Sequence, residues 1–256
     1  MTEATLLAAL PGLAFAFVLV LCRAGTAVML LPGLGEAELP SMVRAGLALA
    51  LSALLLPGVA PSVPAVPDGA LGAGMIGAEL LTGALLGWLA RLPVLALSMA
   101  GALISYLVGI SSVLQPDPAL GGQSTALARL FGLVAPVLIL STGLYALPLS
   151  ALAGSYALIP PGGGLPPGGI TELLVKGLGD ALGLALQLSA PFLLAGLLWQ
   201  VAMGLLARLV PQLQVYSAAA PGQILGGLVL LSLLAARLLG TWTDTVSGDW
   251  SALPGL

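Results

Sequence analysis

Long apolar runs, broken by prolines and isolated charges, constrain this chain more than any other feature. They cover about residues 4–31, 42–57, 70–114, 125–157, 171–205 and 214–240. A helix needs about 20 consecutive apolar residues to cross a bilayer, so each run is near or above the length of one span. A soluble domain would interleave these runs with charge, which makes up roughly a quarter of ordinary compositions. Here Lys and Arg number 7 and Asp and Glu 10, together 7% of 256 residues, while 59% are hydrophobic. So few charges cannot cover a globular surface, and a free soluble enzyme is excluded. The runs predict an all-α chain with six or seven spans, or one buried in a membrane-associated assembly.

The same scarcity removes whole classes of chemistry. The chain has neither His nor Asn, which excludes imidazole catalysis, histidine metal sites and N-glycosylation. Cys22 is the single cysteine and reads as a buried structural thiol, with no disulfide possible inside the chain. The net charge of −3 rests on basic residues scattered singly, so there is no footprint for nucleic acid. No cofactor is expected. Glu3 replaces the basic start of a signal peptide, and the first apolar run is expected to remain in the mature chain.

Proline and glycine supply the punctuation. Residues 33–41 form a polar connector, and Pro57, Pro61, Pro64 and Pro67 make 57–69 an extended loop. Pro93 is expected to divide 70–114 into two spans or a kinked pair, and the tract 160–169 (PPGGGLPPGG) reads as an exposed linker. The tail 241–256, with Trp242 and Trp250, suits an interfacial end. Arg44, Arg129, Lys176, Arg208 and Arg237 fall on connectors that alternate sides, so the positive-inside rule sets no orientation. Glycines four apart at Gly83/Gly87, Gly179/Gly183 and Gly222/Gly226 are candidates for close helix packing.

Charges inside apolar runs are functional candidates by default, because lipid makes them costly. Glu79, Arg91 and Asp180 are of this kind. Glu79 and Arg91 lie about 120° apart on an ideal helix, so they do not pair with each other. Partners across a protein interface are expected instead. Gly177-Leu178-Gly179-Asp180 imitates the signature of intramembrane aspartyl proteases, but Pro118-Ala119-Leu120 precedes it rather than following, and no second Asp stands on another span. A small-solute transporter would need polar groups converging at mid-membrane, often with inverted repeats, and neither is evident.

Four stretches, taken in order, resemble the FliR family of type III secretion export-gate subunits. The first carries Arg23, Pro32, Pro40, Arg44 and Pro57. In the second, GISSVLQPDPALGGQSTALARLFGL at 109–133, Asp117-Pro118 stands at the family's Asp-Pro. The third is the 160–169 tract at the family's Leu-Pro-x-Gly loop. In the fourth, Arg208, Pro211, Gln212, Val215, Tyr216 and Pro221 follow its Arg-x-x-Pro-Gln-x-x-Val-Phe-x-x-x-x-Pro pattern. The likeness spans essentially the whole chain. It departs at Ser141–Leu144, where the family has Asn-Gly-His, at Ala219, where Gly is frequent, and at Ser112 and Gln115, where aromatic residues are common. Gln223 stands near the position where the virulence branch often carries Lys, which favours the flagellar branch.

The resemblance implies a protein-conducting gate without catalytic residues, in the bacterial inner membrane at the flagellar basal body. It implies one all-α export-gate domain of hydrophobic helical hairpins, like a FliP and a FliQ subunit fused, with 1–160 resembling FliP and 170–256 resembling a FliQ hairpin. The implied partners are FliP and FliQ in a hetero-oligomeric complex, FlhB and FlhA, membrane lipid, and the exported rod, hook and filament proteins. A channel plug is carried over to 109–123, chiefly Gly109, Ile110, Ser111, Ser112, Val113, Leu114, Gln115, Pro116, Asp117 and Pro118. Arg44, Glu79, Arg208, Pro211 and Gln212 become candidates for subunit contacts, Arg44 and Glu79 through interface ion pairs. The alternatives are the equivalent virulence subunit and, further off, the transporter.

Overall fold

Apolar sequence with no water nearby favours the helix, because it alone satisfies every backbone group within one segment. The computed structural model describes residues 3–64, 69–110, 114–117, 122–164, 167–209 and 215–255, and the long elements in it are helices. They are α1 (Glu3–Leu30), α2 (Ser41–Val59), α3 (Gly69–Val108), α4 (Ala126–Thr142), α5 (Ala146–Leu158), α6 (Pro167–Leu209) and α7 (Val215–Ser251). A 3-10 turn, Ala60–Ser62, follows α2, and a two-stranded antiparallel ribbon, β1 (Leu114–Asp117) with β2 (Gly122–Thr125), lies between α3 and α4. The fold is all-α apart from that ribbon.

Prolines do not end these helices where the sequence suggests they should. Pro93 sits inside the single 40-residue α3, and Pro11, Pro57, Pro136, Pro191 and Pro221 are likewise internal. Stopping a helix in an apolar setting exposes about four carbonyls, whereas passing through proline sacrifices one hydrogen bond and strains the turn before it. In α3, two carbonyls at and just before Pro93 accept donors from α7. The indole N–H of Trp250 donates to the Ala90 carbonyl at 3.2 Å, and that of Trp242 to the Pro93 carbonyl at 2.9 Å. Both tryptophans are buried in α7, which runs on through the tail expected to be an interfacial end.

The chain divides into two compact units. The first comprises residues 1–92, 139–177 and 247–256. Its core joins Ala24 and Ala27 of α1 to Leu86 of α3 and Leu152 of α5, and Val20 to Val59 and Tyr156. The second comprises 93–138 and 178–246, with Leu97, Ile104, Ala135, Phe192 and Trp242 buried. Each unit draws on both sides of the 160–169 tract.

Five helical stretches among the described residues are long and apolar enough to cross a membrane: Leu10–Leu30, Ser41–Ser62, Gly69–Val108, Gly169–Leu209 and Ala219–Ser251. The pair α4 and α5, bent by 76°, forms a sixth if taken as one broken span. Thus there are five, or up to six, where composition allowed six or seven.

Candidate functional site

Two of the three charges singled out inside the apolar runs, Glu79 and Arg91, find partners within the chain. Arg23 of α1 and Glu79 of α3 form a two-point pair, Nε to Oε2 at 2.7 Å and Nη2 to Oε1 at 2.9 Å, with both side chains wholly buried. Arg23 Nη1 donates to Ser155 Oγ at 3.3 Å, and the guanidinium lies 4.2 Å from the centre of the Tyr156 ring. The backbone N–H of Gly162 donates to Glu79 Oε1 at 2.7 Å. Such a pair is tolerated away from water only when its polar atoms are also met, and here each guanidinium nitrogen and carboxylate oxygen has a partner. The interface partner expected for Glu79 is therefore corrected: its partner is internal.

Two features of the sequence make this geometry possible. Gly83 and Gly87 let α3 approach α1 at contact distance, since a Cβ on Gly87 would stand 2.7 Å from Leu30 Cβ and one on Gly83 would strike the Arg23 carbonyl. Gly162, at φ +77°, turns the 160–164 stretch so that its amide faces Glu79. The tract read as an exposed linker is thus partly structural: Pro161 is buried, and α6 begins within it at Pro167. A Gly/Pro run beside a buried acid gave no signal of that contact. The other two glycine pairs differ: Gly179, Gly183 and Gly226 have open space, and Gly222 touches only Trp199.

Arg91 also pairs locally, with Glu36 at 3.0 Å, and donates to the Leu30 carbonyl at 3.2 Å. This caps the last turn of α1, where carbonyls lack partners within the helix. Arg44 is half-buried in the first turn of α2, and its Nε has no partner among the described residues. Asp180 and Arg208 are exposed on α6. Pro211 and Gln212 lie outside the described residues. Cys22 is only partly buried.

The other feature is the departure from α3 toward the ribbon. Gly109, at φ +86°, ends the helix. The Ile110 N–H returns to the Ser105 carbonyl at 3.0 Å and the Gly109 N–H to that of Tyr106 at 3.2 Å, a Schellman stop. Of the plug candidates, Gly109 and Ile110 belong to this stop and Leu114, Gln115, Pro116 and Asp117 form β1, paired with Thr125, Ser124, Gln123 and Gly122 in turn. Ser111, Ser112, Val113 and Pro118 lie outside the described residues. Over 114–117 and 122–125 the backbone is a paired ribbon, and Thr125 Oγ1 then accepts the Ala128 N–H at 3.3 Å to start α4.

These features define a class: a polytopic membrane protein, helical apart from one short ribbon, with ion pairs at Arg23–Glu79 and Arg91–Glu36 joining segments of its apolar runs. The comparisons then give the family. The pattern of the bacterial export proteins, family 1, matches residues 14–248, and the chain belongs to that family, the FliR-type subunits of type III export. It is a family of export components. The flagellar biosynthetic protein FliR of Caulobacter vibrioides is 32% identical over 228 residues, 88% of this chain and 90% of the relative. FliR of Bacillus subtilis is 29% identical over 156 residues, 60% of each chain. The Yop proteins translocation protein T of Yersinia pestis is 29% identical over 151 residues, 57% of each chain.

Proposed function

We propose that this chain is the FliR subunit of a flagellar export gate in the bacterial inner membrane, assembling with FliP and FliQ around a protein-conducting channel. The observation that carries this reading is the extent of the likeness: the flagellar relative matches 88% of the chain, against 57% for the virulence one. In this reading 1–160 is the FliP-like part and 170–256 the FliQ-like part. FlhB and FlhA are neighbours, and rod, hook and filament proteins are the cargo. Arg44, Arg208, Pro211 and Gln212 lie at subunit contacts.

The channel plug is the segment 109–123. An obstruction of small and apolar residues resists ions by excluding water, and a short two-stranded ribbon is marginal by itself and displaced at low cost. Deleting 111–120 in an assembled gate should raise leak of small solutes through vesicles. Unchanged leak with assembly intact would end the plug assignment.

A further inference from the structure

α3 stops at Gly109, and its Schellman stop satisfies the carbonyls of Ser105 and Tyr106. The next carbonyl, Leu107, has no helical partner among the described residues. It accepts a hydrogen bond from the Gln223 side chain of α7, Nε2 to O at 2.8 Å. The same carboxamide lies on Gly109: a Cβ there would stand 3.6 Å from both Cδ and Nε2 of Gln223. One turn on, Gly227 lets α7 close onto Val108, whose Cγ2 would be 2.6 Å from a Cβ at 227. Gln223 and Gly227 share a helix face, so one face of α7 grips the last turn of α3 by one polar and one steric contact.

We propose that Gln223 is a positioning residue for the segment that leaves α3 at Gly109. Its amide ties the final turn of α3 to α7 and so sets the direction in which that segment departs. The functional consequence rests on the plug assignment above; the tie itself does not. Helix ends fray because their last carbonyls lack donors, and a donor from a second helix couples that end to a longer element. Without the donor, the Leu107 carbonyl is left unmet in an apolar setting and the turn loosens. A cleft of about 310 Å³ lined by Phe192, Gly196, Trp199 and Leu230 borders Gln223. The carboxamide therefore has room to swing aside without moving either helix, and the tie is a releasable one.

The test uses the assembled gate complex in vesicles, with hydrogen exchange at Gly109 and Ile110 and small-solute leak as readouts. Gln223→Met keeps length and removes the donor, Gln223→Glu sets an acceptor against an acceptor, and Gln223→Lys restores a donor. The Met and Glu variants should raise exchange roughly three- to tenfold, the worth of one hydrogen bond, and raise leak, while the Lys variant stays near wild type. Should the Met variant not assemble, Gln223→Asn, too short to reach, takes its place. Unchanged exchange in the Met or Asn variant overturns the tie. Raised exchange without leak, where the 111–120 deletion does leak, overturns its positioning role. If the deletion does not leak either, the plug assignment fails while the exchange result still decides the tie.

Discussion

Arg23 and Glu79 stand 56 residues apart in sequence, and their pairing is the strongest single constraint on the first unit. Removing one partner leaves a buried, unmatched charge, which typically costs about 3–5 kcal/mol. Replacing both by apolar residues of similar volume avoids that penalty. Glu79→Ala should therefore sharply lower the thermal midpoint of the detergent-solubilised complex, and the double change Arg23→Met with Glu79→Leu should recover most of the loss. A Glu79→Ala complex that melts with wild type would show that the pair carries no such weight. Glu79 is conspicuous in the sequence as an acid in an apolar run, and Arg23 as a base in another. Nothing local links them, because the partner of a charge is chosen by which helices meet.

At the scale of the element, helix existence was legible from the runs and helix ends were not. Pro93 reads as a break because sequence shows only the lost N–H, while Trp242 and Trp250, which meet carbonyls beside it, lie about 150 residues away. The glycine pairs show the same limit. Gly83/Gly87 and Gly179/Gly183 share one spacing, yet only the first faces another helix closely. Gly83→Ala should disrupt the α1–α3 contact at a cost of about 1–3 kcal/mol, the usual range for overpacking. Gly183→Ala should be neutral or stabilising within the subunit by up to about 1 kcal/mol through helix propensity. Equal loss of folded protein from both, measured by fluorescence-detected size exclusion, would contradict this.

At the scale of the whole molecule, length and exposure stand out. α3, α6 and α7, with 40, 43 and 37 residues, run for about 60, 65 and 55 Å at 1.5 Å per residue, against a hydrocarbon core of about 30 Å. Leu198 of α6 and Leu233 of α7 are 71% and 73% exposed, and within Ala219–Ser251 an apolar window of 18 residues is only 6% buried. Helices apolar over twice the depth of a bilayer need protein cover beyond it. The chain expressed alone should aggregate or be degraded, and co-expression with two small hydrophobic gate proteins should yield one stable complex; a stable monomer in detergent would count against this. By itself the sequence determined that the chain is helical and hydrophobic, lacks the histidine for imidazole chemistry or histidine metal sites, and belongs with export proteins, since composition, periodicity and ordered motifs are local properties. Only tertiary structure decided which charges neutralise one another, which glycines are crossings, and that Gly162 and Gln223 reach across to Glu79 and Leu107. Those contacts depend on which surfaces folding brings together, and spacing along the chain carries no record of them.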